Sequence, residues 1–316
     1  MNKILNDFLI LTSSGLYCIY GDFYIDPKVP VGCALVSHAH ADHACPGNQL
    51  VYCTPATQAI MESRYSNKAS IKLMSKGFYQ EFFIKDIQIA FFSAGHILGS
   101  AQILMIYKGV RYLYTGDYKM QADATCEPID YVKADVLITE STFADPAIKH
   151  PDFEDEIRKL NEIPYNILLG AYALGKAQRL NYLINFHCPQ KIVLLHHSMM
   201  PIHKIYEQFG INNLLYKPYD RKIMKKQRDQ EFVYIVPPLT FNSSFGRVDM
   251  IRVFASGWEY LQKNNNISLY ISDHVDWKDI LEYVQHVEPQ EIWTVHGDGH
   301  KLEEYYKEMI PVKKLG

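Results

Sequence analysis

The 316-residue sequence lacks several features that would assign it to a class of protein at once. Its six cysteines include no Cys-x-x-Cys pair, which indicates reduced thiols rather than a disulfide framework. No apolar run approaches the roughly 18 residues that a membrane span requires. The short apolar stretch at residues 8–11 lacks the pattern of a signal peptide. We therefore expect a cytoplasmic protein.

The sequence also lacks a strong excess of charge of either sign, with 32 basic and 35 acidic residues and a formal net charge of -3. This balance excludes a protein coated in basic charge for binding duplex nucleic acid. With 48% hydrophobic and 21% charged residues, the chain can bury a sizeable core, and wholesale disorder is excluded. Thirteen histidines are enough to ask whether they cluster.

The apolar pattern changes near residue 150. Before it, runs of strand length such as Ile87–Ser93 recur between turns, and one helix is predicted at Pro55–Tyr65. From about residue 151, helices and strands alternate, which is typical of a small α/β unit with parallel strands. Later strands are predicted at 232–236, 250–254, 268–272 and 291–295, with helices at 277–287 and 300–309. The sequence therefore predicts an α/β fold.

The sharpest chemical signal is a group of four polar residues within six positions, His38, His40, Asp42 and His43, directly after the apolar residues 34–36. Three imidazoles and a carboxylate are costly to bury without a partner. Two histidines at i and i+2 at a strand end point to the same side and can bind one cation, while Asp42 and His43 can serve a second. Imidazole and carboxylate suit zinc, manganese or iron better than calcium or magnesium.

Three further polar residues, His96, Asp117 and His296, each follow a strand-like run and lie beside a glycine. Glycine lets the backbone bend close to a bound group. Taken singly, each would be an ordinary loop residue. Together with the first group they predict a dinuclear metal site.

These motifs resemble a known family. The order His-x-His-x-Asp-His, a lone His, a Gly-Asp pair and a late His is similar to the pattern of the metallo-β-lactamase superfamily. Three segments look like the additional motifs of its β-CASP nuclease branch: 138–142, 272–276 and 295–297. Three more resemble the bacterial ligase-associated DNA exonucleases and mRNA 3′-end processing factor-like proteins: 21–27, 171–179 and 255–258. The resemblance covers nearly the whole chain.

The resemblance implies seven side chains that hold two divalent ions, with zinc favoured and manganese the alternative. The first ion would be bound by His38, His40 and His96. The second would be bound by Asp42, His43 and His296, and Asp117 would bridge the two. Asp26 would be a carboxylate that orients one of the ligand histidines.

The resemblance also implies an acid for the leaving oxygen. That acid would be His274, supported by Glu140, and a positioned acid is typically worth about 10²–10⁴ in rate. Asp273 stands where the family often has a small residue, so we expect it either to act electrostatically on His274 or to face solvent. Lys176, at a predicted helix start, and the pair Ser256 and Gly257 are candidates for binding phosphate.

The implied domains are a metallo-β-lactamase αββα sandwich, residues 1–145 and 245–316, and an inserted smaller α/β β-CASP domain, residues 146–244. Two cations about 3.5–4 Å apart would share a bridging hydroxide and offset charge on phosphoryl oxygens, which suits phosphodiester hydrolysis. A basic cluster at 221–228 either tracks a nucleic-acid backbone or is a solvated face.

The family favours a DNA exonuclease that works in repair beside a DNA ligase. An RNA-processing nuclease of the same branch is the alternative, because no reader of the 2′-hydroxyl can be identified. Hydrolysis of a small thioester or lactam on the same fold would need neither Glu140 nor His274, and a non-catalytic scaffold would lack ligands. Strand polarity, exo or endo action and oligomeric state stay open.

Overall fold

The computed structural model describes residues 3–220, 231–243, 250–263 and 265–315. The predicted basic cluster at 221–228 lies outside these residues. Chain contacts divide the protein into two units, Met1–Lys149 with His274–Gly316, and His150–Asp273. Within the described ranges, no helix combines the length and apolarity needed to cross a bilayer.

Most of the elements follow the order that the sequence pattern predicts, and the pattern does not predict several short strands or the helix at Pro238–Ser243. The strands are β1 Leu9–Thr12, β2 Gly15–Cys18, β3 Phe23–Ile25, β4 Cys33–Leu35, β5 Asn48–Cys53, β6 Ser70–Ser75, β7 Phe82–Ile84, β8 Ile87–Ser93, β9 Ala101–Tyr107, β10 Val110–Tyr114, β11 Val136–Glu140, β12 Ile167–Gly170, β13 Ile192–Leu195, β14 Lys217–Pro218, β15 Phe232–Val236, β16 Ile251–Phe254, β17 Glu291–Val295 and β18 Val312–Lys314. The α-helices are α1 Pro55–Tyr65, α2 Phe153–Arg158, α3 Lys176–His187, α4 Met200–Gln208, α5 Pro238–Ser243, α6 Trp277–Val287 and α7 His300–Tyr306. Single 3₁₀ turns occupy Ser66–Lys68, Lys159–Glu162, His197–Met199 and Glu259–Gln262.

The first unit contains two sheets that face each other. One is six-stranded, in the order β1-β2-β3-β4-β5-β6, and the other is seven-stranded, in the order β18-β17-β11-β10-β9-β8-β7. A single apolar cluster joins Phe23 and Leu35 of the first sheet to Phe91, Tyr112 and Trp293 of the second. The sheets are therefore held together by the residues that alternate inward along their strands.

The other face of the seven-stranded sheet is covered by two helices. Leu113 and Leu137 of this sheet share a second cluster with Ile280 of α6 and Leu302 of α7. Because both faces are covered, strand β11 is buried at every residue, which explains the unbroken apolar run Val136–Ile138 at its start. These layers confirm the predicted mixed α/β fold.

The second unit is built on one five-stranded sheet, in the order β14-β13-β15-β12-β16, in which all pairs are parallel. Its core brings Ile157 of α2 and Leu180 of α3 against Leu169 of β12 and Val233 of β15. The predicted alternation of helix and strand is the physical requirement of such a sheet, because parallel neighbours need crossover connections.

The second unit extends further along the chain than the sequence predicts. Residues 245–273 were expected in the first domain, yet the second unit runs from His150 to Asp273. The reason is that β16 pairs in parallel with β12, so its sheet belongs to the second unit. The strand predicted at 268–272 is also absent from the described sheets, and only an isolated bridge joins Leu269 to Ala255.

Candidate metal centre

The predicted metal-site residues come from four strand ends of the first unit. His38, His40, Asp42 and His43 follow β4, and the other three follow β8, β10 and β17. Strands β10, β11 and β17 are parallel neighbours, so their carboxyl ends lie at one edge of the sheet. A set of residues spread over more than 250 positions therefore meets at one place.

The first group of candidate ligands is compact. The ligand atoms of His38, His40, His96 and Asp117 all lie within 4.8 Å of one another. His40 Nδ1 is 3.0 Å from His38 Nε2 and 3.1 Å from His96 Nε2. Asp117 Oδ2 is 3.5 Å from His38 Nε2. Three imidazole nitrogens and a carboxylate oxygen that converge on one point form a donor set that fits zinc or manganese.

The second group shares Asp117 with the first. Asp117 Oδ2 is 3.4 Å from His43 Nε2, and Asp42 Oδ2 is 3.8 Å from the same nitrogen. The rings of His43 and His296 lie 5.0 Å apart between centroids. Asp42 is the most exposed member, with 82% of its side chain accessible. The structure thus brings Asp42, Asp117 and His296 of the predicted second set close to the ring of His43.

His296 requires an unusual backbone at the end of β17. Its φ is +51°, and the next residue, Gly297, has a φ of +157°. A Cβ on Gly297 would collide with the main-chain oxygen of Ser141. The glycine beside this histidine is therefore a steric requirement of the loop.

Asp26 contacts the candidate ligand His43 and accepts four hydrogen bonds. Its Oδ1 accepts from Ser37 N at 2.7 Å. Its Oδ2 accepts from Ser37 Oγ at 2.5 Å and from Tyr114 OH at 2.9 Å, and it lies 2.8 Å from His43 Nδ1. Since Nδ1 of His43 faces Asp26, Nε2 faces the shared carboxylate. The predicted orienting carboxylate therefore contacts His43.

Two residues of this network, Ser37 and Tyr114, are not predicted from the sequence pattern. Ser37 Oγ also lies 3.0 Å from His38 Nδ1, and Tyr114 OH lies 3.4 Å from His296 Nε2. Tyr114 is fully buried at the last position of β10, inside an apolar run that resembles ordinary core. Ser37, immediately before the first histidine, was the one local signal available.

The surroundings of the cluster shift the pKa values of His38 and His43 in opposite directions. Burial alone would lower the pKa of His43, but Asp117 and Asp26 outweigh it and hold that pKa well above the usual value. Burial and the neighbouring His43 hold the pKa of His38 well below the usual value. Burial would raise the pKa of Asp117, yet His43 and His274 hold it well below the ordinary range. Within this cluster His43 is therefore the charged partner of two carboxylates.

His274 and Glu140 form a pair at the rim of the cluster. His274 Nδ1 lies 3.0 Å from Glu140 Oε2, and the Glu140 carboxylate also accepts a hydrogen bond from Tyr118 N at 3.0 Å. Glu140 is buried, whereas 28% of the His274 side chain is accessible. The ring of His274 is 5.0 Å from that of His96. The predicted acid is thus oriented by a carboxylate and accessible to solvent.

The candidate phosphate-binding residues lie in the second unit. Lys176, the first residue of α3, is buried and its Nζ is 2.9 Å from Asp273 Oδ2. Arg179 Nη1 lies 2.9 Å from the other oxygen of Asp273. Ser256 Oγ accepts from Trp258 N at 3.1 Å. The charge of Lys176 is therefore offset within its own unit.

These contacts correct the expectation for Asp273. The carboxylate is buried and ion-paired with two cations of α3, so it does not face solvent. Lys176 and Arg179 also donate to the main-chain oxygens of Ile271 and Ser272. We call this arrangement, Lys176 and Arg179 with residues 271–273, the two-cation clamp.

Comparison with known proteins finds relatives that align with half or more of this chain. No family model matches the chain. It is 31% identical to a "Probable DNA ligase" of Opitutus terrae, over 90% of this chain and 29% of that protein. It is 31% identical to an "RNase J-like protein" of Methanocaldococcus jannaschii, over 51% of this chain and 45% of that protein. It is 24% identical to "Cleavage and polyadenylation specificity factor subunit 3" of Dictyostelium discoideum, over 90% and 49%. The chain spans less than half the length of these three relatives.

A solved structure shares the fold. A protein of unknown function from Enterococcus faecalis V583 matches with a TM-score of 0.61 and 13% sequence identity. The match covers 89% of this chain and 78% of the other. At this identity the likeness concerns the fold alone.

Proposed function

Because the chain belongs to the β-CASP branch of the metallo-β-lactamase superfamily, we propose that it is a nuclease that uses two divalent ions to hydrolyse phosphodiester bonds. The observation that carries the proposal is the convergence of His38, His40, His96 and Asp117 within 4.8 Å, beside the His274–Glu140 pair. Hydrolysis of a small thioester or lactam would leave that pair without a task.

The architecture that we propose follows the same family. The facing sheets of the first unit would be the αββα sandwich, and the parallel sheet of the second would be the inserted β-CASP domain. We take its limits as His150 and Asp273 rather than the 146 and 244 expected from sequence.

Each residue of the cluster has a task in this proposal. Two divalent ions, zinc or manganese, supply an activated water and offset the charge of the phosphate oxygens when bound. His38, His40 and His96 would hold one ion, and Asp42, His43 and His296 the other, with Asp117 between them. Asp26 would keep the proton of His43 on Nδ1, so that the Nε2 lone pair faces the ion.

His274 would donate the proton that the departing oxygen requires. Since Glu140 occupies its Nδ1 side, the proton would be transferred from Nε2. Glu140 in turn is fixed by the amide of Tyr118, so the ring orientation follows from the backbone after Asp117.

We favour DNA as the substrate and an exonuclease acting beside a DNA ligase as the role. The support is that the relative named a DNA ligase aligns with 90% of this chain. The RNase J-like protein and the polyadenylation-factor subunit support RNA processing as the second candidate.

The test uses end-labelled single- and double-stranded DNA and RNA, with protein loaded with zinc or manganese. We expect DNA to be shortened from one end, and the product ladder gives polarity and exo or endo action. His274→Ala should cleave about 10²–10⁴-fold more slowly than wild type while keeping its metal. His300→Ala, at an exposed surface histidine, should keep the wild-type rate. No cleavage of any substrate by metal-loaded wild type would overturn the assignment.

A further inference from the structure

A buried lysine, Lys119, contacts the main chain of the candidate metal ligand His96. Lys119 lies two residues after Asp117, and only 1% of its side chain is accessible. Its Nζ lies 2.5 Å from Asp123 Oδ2 and donates to the main-chain oxygen of His96 at 3.2 Å. A lysine that is ion-paired in the interior while bonded to the backbone of a candidate metal ligand is well placed to orient that ligand.

The backbone reinforces this connection. Lys119 N donates to Ala94 O at 3.1 Å. Gly95, which lies between Ala94 and His96 in the chain, has a φ of +69°. A Cβ on Gly95 would collide with the main-chain oxygen of Lys119. The segment that carries His96 therefore packs directly on the segment that carries Asp117, without room for a side chain between them.

Both main-chain groups of His96 are fixed. Its N–H donates to Ser100 Oγ at 3.0 Å, and its carbonyl oxygen accepts from Lys119 Nζ. With both peptide groups held, the direction of the Cα–Cβ bond is set, and from it the ring reaches His40 Nδ1 at 3.1 Å and Asp117 Oδ2 at 3.9 Å. Removing the lysine would free one of these two restraints.

The counter-ion of Lys119 is itself held in place. Asp123 Oδ1 accepts from Thr125 N at 2.9 Å and from Thr125 Oγ1 at 2.7 Å. A buried ion pair is costly to desolvate and is weak evidence for stability on its own. The Lys119–Asp123 pair is better explained by the position that it gives to the main chain of His96.

We propose that Lys119 is a positioning residue for the metal centre, which sets the ring of His96 against Asp117 and thereby the affinity for the ion held by His38, His40 and His96. This inference rests on the proposed metal centre and adds a residue outside its ligands. It requires no change in the affinity for the second ion, which Asp42, His43 and His296 would hold.

The test measures stepwise zinc affinities by competition with a chromogenic chelator, with circular dichroism as the check on folding. Lys119→Met keeps the length of the side chain and removes the donor. We expect one of the two affinities to fall about 10–100-fold, the usual effect of losing a partner behind a metal ligand. Lys133→Met is the matched control, because Lys133 is exposed and paired only on the surface with Glu288 among its described contacts. Its affinities should equal those of wild type.

Asp123→Asn is the second variant, because it retains Lys119 but removes its counter-ion. It should weaken the binding of the same ion, and it serves as the decisive variant if Lys119→Met does not fold. A folded Lys119→Met protein, or in its absence a folded Asp123→Asn protein, with both affinities unchanged would overturn the inference. Equal loss at both ions would also overturn it, because that is the mark of general loosening.

The outcomes separate this inference from the proposed function. Wild type that binds fewer than two zinc ions would refute the metal centre itself. Wild type that binds two ions and cleaves nothing would refute the nuclease and leave the role of Lys119 intact.

Discussion

The carboxylate of Asp26 offers the sharpest test of how the cluster is organised. Asp26→Asn changes little in shape, and it does not strain the backbone, because Asn tolerates the left-handed φ of +44° at this position. It does change what the side chain can accept. Asp26 Oδ2 faces Ser37 Oγ, Tyr114 OH and His43 Nδ1, while Oδ1 faces Ser37 N.

The magnitude follows from this geometry. If the asparagine oxygen takes the place of Oδ2, its NH₂ group meets the amide of Ser37, a donor against a donor. The reverse orientation leaves three groups without their acceptor, so the first is preferred. One orphaned buried amide costs about 1–3 kcal/mol, and the other bonds lose the help of the charge.

The effect on metal is separate from the effect on folding. A neutral amide oxygen holds the proton on His43 Nδ1 less firmly, so we expect about 10–100-fold weaker binding of the ion at His43. That factor corresponds to about 1.4–2.8 kcal/mol.

The assay combines urea unfolding of the metal-stripped protein with zinc competition. Asp22→Asn is the control, since Asp22 has the same left-handed backbone, with a φ of +56°, but bonds Tyr17 OH at the surface. Asp22→Asn should change stability by less than about 0.5 kcal/mol and leave zinc affinity unchanged. An Asp26→Asn protein with wild-type stability and wild-type zinc affinity would refute the reasoning.

Two further predictions concern charge. In the metal-stripped protein, the raised pKa of His43 contributes stability that is complete below its unfolded value of about 6.5 and is lost as pH rises through the folded value. The lowered pKa of His38 acts oppositely and removes stability as pH falls below about 6.5, so urea unfolding between pH 5.5 and 8.5 should give a maximum near 6.5. Zinc affinity should instead rise through this range, because zinc requires neutral His43, and stripped-protein stability that climbs steadily to pH 8.5 would contradict the assignment. Asp273→Asn should destabilise the protein by about 3–5 kcal/mol, because it leaves Lys176 and Arg179 of the two-cation clamp buried without their carboxylate. The exposed Asp155→Asn, which faces Arg158, should cost under about 1 kcal/mol in the same urea titration, and equal losses in both variants would show that the clamp is no different from a surface pair.

Much of the candidate site is predictable from sequence because its members lie at strand ends beside glycine. His96, Asp117 and His296 were found in this way, and the structure brings them together with the first group. The helix α1 was predicted with its limits, because Thr54 and Pro55 are local start signals and Thr54 Oγ1 does accept from Thr57 N. Such signals depend only on neighbouring residues.

What the sequence does not reveal is set by pairing over long distances. Tyr114 meets Asp26 across 88 positions, and an apolar run gives no sign that its last tyrosine faces a carboxylate. The apolar residues of β16 predict a strand, but not that its partner is β12, which places β16 in the unit His150–Asp273. Asp273 likewise shows its partners only once α3 is placed beside it.

The order of strands in the seven-stranded sheet has a consequence for the protein as it is synthesised. Strand β17 lies between β11 and β18, and its Val295 pairs with Glu140, 155 positions earlier in the chain (295 − 140). At about 5–20 residues per second, the ribosome takes roughly 8–30 s to cover that interval. During this time β11 has an open edge, which is a hazard for aggregation, and the described strands of the second unit, from β12 to β16, are synthesised. The last candidate ligand, His296, therefore reaches the growing chain only after the second unit has been made.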